Sequence, residues 1–456
     1  MRPPGRARAM LSAAVAVGLL GLGLTGCGGV ASGQTVSVLG TWTGDEAARF
    51  ADVLRPFERQ TGIDVRFDGT RDFEAVLAGQ VQSGGTPDLA LMPSLGDLEQ
   101  YARGGQLVAL DDAGEGGAAP VDLARIRREY DPTWLGAGTV AGPDGRARQY
   151  GLVVKGTRKS LVWYSAARYS WPVPRTLDEL LATSRQIAAT GTPPWCLGMR
   201  SSSDSGWPGT DWIEDLLLAQ AGPDVYRSWA AGELAWTTPA VRAAWTTWGQ
   251  LVAPSMVRGG PASALLSGFG DAGAAMFDPR PGCYLHQAGS FADGGYRDSA
   301  GGPAKDARYF DLPSAGGERH IVVGGDILAM FHGTPAARKL ANYLTGIEAQ
   351  LLWARAGGTI SPNDAVTPSA YPDDDLRALA RSVEDAACAD VVFDGSDAMP
   401  SALRTAFYRG VTEFVADPAS LDRILTGLDN ARLRAYPAAA TGAAPRPQRL
   451  CPAGTS

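Results

Sequence analysis

Lysine is nearly missing from this chain of 456 residues: only four occur, at positions 155, 159, 305 and 339, so 37 of the 41 basic residues are arginine. With a formal charge of -7 and no basic stripe, that arginine reads as a codon-composition habit, and a nucleic-acid partner is not expected. Histidine is scarcer still. His286, His320 and His332 have no partner at ligand spacing, so neither a zinc centre nor any other metal is expected. A G-x-S-x-G nucleophile turn is also absent. Hydrophobic residues make up 45% and charged residues 20%, which argues against a disordered chain or a multi-span membrane protein. The length calls for two domains, or one elaborate one, rather than a single ordinary core.

What is present begins with the first 26 residues. Arg2, Arg6 and Arg8 precede an apolar run from Ala9 to Leu24, which ends in Leu24-Thr25-Gly26-Cys27. A positive start, an apolar middle and small residues before a cysteine make a secretory leader with a lipoprotein cleavage box. Residues 1–26 are expected to be the signal peptide and 27–34 a lipidated tether, with Cys27 carrying the lipid. Losing three arginines leaves 38 basic against 48 acidic residues, about -10. The mature chain is expected on the extracellular face of the membrane, held by its lipid. Four further cysteines, an even number in an exported protein, suggest two disulfides. Cys196 with Cys283 and Cys388 with Cys451 is the favoured pairing, with free buried thiols as the alternative.

Thr35 to Leu39 reads as a buried strand, followed by a helix with Phe50, Val53, Leu54 and Phe57 on one face and a stop at Gly62. Pro56 within it should kink or shorten the last turn. Ile63, Val65 and Phe67 alternate as a second strand, Phe73, Val76, Leu77 and Val81 mark a second helix, and residues 87–92 form a third strand. The order β-α-β-α-β predicts a parallel, doubly wound lobe. Residues 151–154 and 160–164 read as strands near a lobe boundary. Thr176-Leu-Asp-Glu179 opens a helix as a capping box. Trp195, Trp207, Trp212, Trp229, Trp236, Trp245 and Trp248 mark a mainly helical second lobe, and a strand pattern returns at 321–331. The N-terminal lobe is assigned to 35–155, rejoined by segments of about 320–380. The C-terminal lobe is assigned mainly to 156–319 and about 381–436, with a loose tail at 437–456.

Doubly wound sheets bind ligands at the carboxyl ends of their strands, where Gly40-Thr-Trp-Thr-Gly-Asp-Glu46 lies. There Trp42 either stacks on a sugar ring or caps the sheet, and Glu46 either accepts ligand hydroxyls or favours the helix dipole. Trp207-Pro-Gly-Thr-Asp-Trp212 is the densest aromatic and acidic cluster, with Asp211 as a ligand contact or a helix N-cap. Lys159 either faces a cleft or is a solvated edge lysine.

Taken in order, WTGDE (42–46), FERQTG (57–62), GGTPD (84–88), KSLVWY (159–164), PWCLG (194–198), GWPGTDW (206–212), CYLH (283–286) and DGSDAMP (394–400) resemble the extracellular solute-binding proteins of carbohydrate ABC importers, and among them the α-glucoside type. The resemblance covers about 35–436. It implies an α/β, periplasmic-binding-protein-like fold of two lobes joined by crossovers, closing on a ligand in the cleft between them. It further implies a small carbohydrate as ligand, permease subunits as partners, a monomer, no cofactor and no catalysis. By position it makes Trp42, Lys159, Trp207 and Asp211 cleft residues. It adds Phe277 and Asp278 after a buried Gly-Ala-Ala-Met strand, Gly325 and Asp326 at a glycine turn, and Tyr408 as a stacking aromatic. Met92-Pro93-Ser94-Leu95 departs from the maltose-binding type, which carries an aromatic and an acid there, and this argues against maltodextrin. The rivals are a receptor for a polyol or other non-sugar solute and an exported glycosidase using Glu46, Asp211 or Asp326.

Overall fold

The computed structural model describes residues 34–112, 120–293, 296, 306–386 and 391–436. The leader, Cys27, Cys388, Cys451 and the tail 437–456 lie outside the described residues.

Thr35–Gly40 pairs in parallel with both Asp64–Gly69 and Leu89–Met92, the arrangement the alternating pattern predicts. The helix Asp45–Thr61 buries Phe50, Val53, Leu54 and Phe57, and it runs on through Pro56 to Thr61. Gly62, at φ 68, then turns the chain left-handed and donates its N–H to the Glu58 carbonyl. The sheet is not parallel throughout. Ile321–Met330 enters it antiparallel, through residues 327–330, beside Leu89–Met92. Its first residues, 321–323, run parallel to Val391–Phe393. Gly151–Arg158 pairs antiparallel with the same long strand, and the register slips at Asp326/Ile327, leaving Val154 unopposed as a bulge. All eight residues of Gly151–Arg158 are buried, including Lys155 and Arg158.

Two hydrophobic cores flank this shared strand pair. One packs the sheet against the helices Asp45–Thr61, Leu95–Arg103 and Pro335–Leu344. The other is built on Trp195, Trp212, Trp229, Trp236, Trp245 and Trp248 with Phe407 and Phe414. The long strand serves both, since Val323 belongs to the first core and Val322 to the second. The second lobe is mainly helical, with a small antiparallel sheet of His286–Ala288, Leu161–Ser165 and Ala307–Asp311. The capping box holds at one end: Thr176 Oγ1 accepts from the Glu179 N–H at 3.3 Å. The Gly-Ala-Ala-Met segment is a 3-10 helix, Ala272–Met276, rather than a strand, as suits small residues without β-branching. Cys196 and Cys283 form a disulfide, with Cα atoms 5.4 Å apart. Among the described residues, no helix is long and apolar enough to cross a membrane.

Candidate ligand-binding site

Both lobes contribute to one cavity of about 1020 Å³, its open mouth included. Its first wall grows from the sheet. Glu46, in the opening turn of Asp45–Thr61, accepts from Lys155 Nζ at 3.0 Å and from the Arg71 guanidinium at 2.8 Å. The bulge at Val154 puts Lys155 opposite Asp326, 4.0 Å away, and 5.0 Å from the centre of the Trp42 ring. Trp42 itself is 2% exposed, wedged among Phe50, Phe67 and Trp353, and its indole N–H donates to Asp326 Oδ2 at 3.0 Å.

The second wall grows from the tryptophan-rich lobe. Ser160, at φ 59, links Gly151–Arg158 to Leu161–Ser165, where the chain passes from one sheet to the other. A serine holds that uncommon conformation because its hydroxyl donates to Asp215, which also accepts from Gln287 Nε2 at 2.7 Å. Lys159, just before Ser160, donates to Asp394 and stands 3.4 Å from Asp211 and 3.5 Å from Asp397. It is therefore a half-buried, triply flanked cation, not an edge lysine. Asp211 is no cap either. The helix Trp207–Ala230 begins at Gly206, whose φ of 113 and whose Cβ position, 2.3 Å from the Tyr408 carbonyl oxygen, leave room only for glycine. Asp211 thus lies inside the helix, 3% exposed, and its Oδ2 has no hydrogen-bond partner. Trp207 lies edge to face with Phe269 at 4.9 Å and Phe291 at 5.9 Å, and the Lys159 ammonium sits 5.8 Å from its ring centre.

The lobes meet at Arg404, on the helix Ser401–Ala416 of the second lobe. Its guanidinium donates to Ser94 Oγ and Glu74 and, at 2.8 Å, to Asp97, all on the first lobe. Ser94, part of the stretch that departs from the maltose-binding pattern, also caps Leu95–Arg103 and donates to the Asp397 carbonyl at 2.9 Å.

Of the sequence candidates, Trp42, Glu46, Lys159, Trp207, Asp211, Gly325, Asp326 and Tyr408 line the cavity. Two do not. Phe277 packs on Tyr296 with ring centres 5.4 Å apart, and Asp278 is exposed. Phe269 and Phe291 supply the aromatic surface instead. Gly325 lies within the strand Ile321–Met330, at the bulged pairing, rather than in a turn. Arg71, Glu74, Lys155, Asp397 and Arg404 were missed. Lys155 carried a legible signal, a lone charge in the apolar run Gly-Leu-Val-Val-Lys, whereas nothing local marks Arg404.

Charge crowding sets the protonation of the site. Burial pushes the carboxyls of Glu74, Asp215 and Asp397 up to about 7 and that of Asp326 to about 6; neighbouring acids add to the rise in each, while hydrogen bonds from Ser160 and Gln287 hold Asp215 back. Burial opposes ionisation of Glu46 as well, but Lys155 and Arg71 outweigh it and hold that carboxyl near about 2. The four raised groups bind protons in the folded chain between their ordinary values, 3.8 or 4.5, and 6 to 7. Their stabilisation is complete below that range and is lost as pH rises through it. The contribution of Glu46 is lost only as pH falls from 4.5 through 2. The mature chain is therefore expected to melt at a higher temperature at pH 5 than at pH 7.5; calorimetric scans showing the reverse order would contradict this account.

Residues 42–351 match the family model for the bacterial extracellular solute-binding protein. The chain is 34% identical over 390 residues to the osmoprotective compounds-binding protein GgtB of Synechocystis sp., spanning 84% of this chain and 89% of that one. It is 30% identical over 399 residues to the alpha-glucosides-binding periplasmic protein AglE of Rhizobium meliloti, spanning 86% and 85%. Among solved structures, the bacterial solute receptor AcbH superposes with a TM-score of 0.73 at 18% identity, over 89% of this chain and 99% of that one, so the two share the two-lobed fold. The chain thus belongs to the bacterial extracellular solute-binding protein family.

Proposed function

We propose that this protein captures a small α-glucoside or related carbohydrate outside the cell and hands it to the permease of an ABC importer, without chemical change to the ligand. The observation that carries the reading is a cavity in which Trp207, Phe269 and Phe291 adjoin two lysine–carboxylate clusters, one from each lobe. Aromatic faces suit the C–H faces of a sugar ring, and fixed charged acceptors and donors suit its hydroxyls. A ligand touching both walls binds the closed form more tightly than the open one and so shifts the population towards closure. The likeness to AglE supports an α-glucoside. The likeness to GgtB supports a second reading, an osmoprotective compound, for which a polyol is the probe.

Titration calorimetry of the soluble mature chain against α- and β-glucosides and polyols decides between these. Saturable binding of an α-glucoside is expected. Binding of a polyol alone selects the second reading, and no saturable binding by any member rejects both.

We further infer that Cys27 carries a diacylglyceryl group that tethers the protein beside its importer. Labelled lipid is expected in the wild-type chain and not in Cys27→Ser; equal labelling of both would reject the anchor.

A further inference from the structure

The same cavity has a charge pattern that bears on which ligands it admits, an inference that rests on the carbohydrate reading above. Four cations reach it, and each is paired with carboxylates of the chain itself. Arg71 and Lys155 share Glu46. Lys159 is flanked by Asp211, Asp394 and Asp397, and Arg404 is held by Glu74 and Asp97. Six carboxylates line the space around these four cations: Glu46, Glu74, Asp204, Asp211, Asp326 and Asp397.

One helix end beside the cavity offers an anion no better reception. The N-terminus of the short helix Gly395–Ala398, beside the cavity, has amide hydrogens that attract negative charge. They are already taken: Glu214 accepts from Gly395 N at 2.6 Å and Ser396 N at 3.3 Å, and Asp394 accepts from Asp397 N at 2.8 Å. Among the described cavity-lining side chains, the buried atoms left without a partner are one acceptor, Asp211 Oδ2, and one donor, Arg404 Nε. Asp211 Oδ2 is buried with no donor, and the single bond to Asp326 comes from Trp42 to its Oδ2. A hydroxyl or an ammonium would satisfy such oxygens. A ligand carboxylate or phosphate would have to displace one of the chain's own acids from its cation or lie unpaired among them, and both are unfavourable in a partly dry cleft.

We propose that the cavity selects its ligand by charge, admitting neutral polyhydroxylated rings and their amino-substituted, cationic counterparts and rejecting those that bear a carboxylate or phosphate.

Calorimetry of the mature chain with four probes tests this: methyl α-glucoside, its 6-amino-6-deoxy derivative, the corresponding glucuronide and the 6-phosphate. The neutral and amino probes are expected to bind within about tenfold of each other and the two anions at least about a hundredfold more weakly, as for unlike and like charges brought into one site. The amino probe controls for bulk at the same carbon. An anionic probe bound within tenfold of the neutral one overturns the charge selection alone, whereas binding of none of the four overturns the glucoside reading and the selection with it. Glu46→Gln, which releases Lys155 and Arg71, is expected to narrow the gap between neutral and anionic probes by about tenfold. An unchanged gap would overturn the role given to those two paired cations.

Discussion

Asp211→Ala is expected to weaken glycoside binding by about tenfold to a hundredfold, the loss of a hydrogen bond in a desolvated site, and to leave the melting temperature unchanged or slightly raised. The two effects separate because Asp211 is surplus to the fold. It is not the cap of its helix, Lys159 keeps Asp394 and Asp397 when it is gone, and its Oδ2 bonds to nothing in the chain. Burial drives its carboxyl well above the ordinary range, and Asp394, Asp215 and Asp397 add to the rise, so its removal relieves crowding. Calorimetry of binding and scanning calorimetry on the same preparation check the pair of outcomes. A parallel fall in affinity and melting temperature would make Asp211 a structural residue only.

The largest stability effect is expected at Arg404. Arg404→Met should cost about 3–5 kcal/mol at pH 7.5, the range for breaking a buried ion pair by removing one partner. The guanidinium is 1% exposed, and without it Glu74 and Asp97 face each other uncompensated. Methionine keeps most of the stem's volume, so the loss reports charge rather than a cavity. Urea unfolding measures it, and Glu74→Gln added to Arg404→Met should recover part of the loss, a coupling that only contacting residues show. Additive losses in the double variant would mean that the bond between the lobes contributes nothing.

How much of this was legible beforehand depended on range. The helix Asp45–Thr61 announces itself through Phe50, Val53, Leu54 and Phe57, because a period of 3.6 is visible within four turns. The parallel βαβαβ order follows in the same way, whereas the even cysteine count left three pairings open, and the structure forms the favoured Cys196–Cys283 bond. Trp42 could be placed at the carboxyl end of the first strand but not assigned a contact. Only Phe50, Phe67, Trp353 and Asp326, brought up from elsewhere, make it the lid of a core with its N–H turned to a carboxylate. Phe277 and Asp278 were placed by resemblance alone, and a 3-10 turn where a strand was expected left them pointing elsewhere than the cavity lining.

By itself, then, the sequence determined the exported character expected of the chain, the alternating first lobe, the tryptophan-rich second lobe and the family to which both belong. The tertiary structure alone decided which charge meets which. Lys155 finds Glu46 across 109 positions, Lys159 finds Asp394 across 235, Trp42 finds Asp326 across 284 and Arg404 finds Glu74 across 330. Hydrophobic periodicity is a property of neighbours along the chain and can be read from one segment at a time. The partner of a buried charge is set by which segments the two cores bring together, and no single segment carries that information.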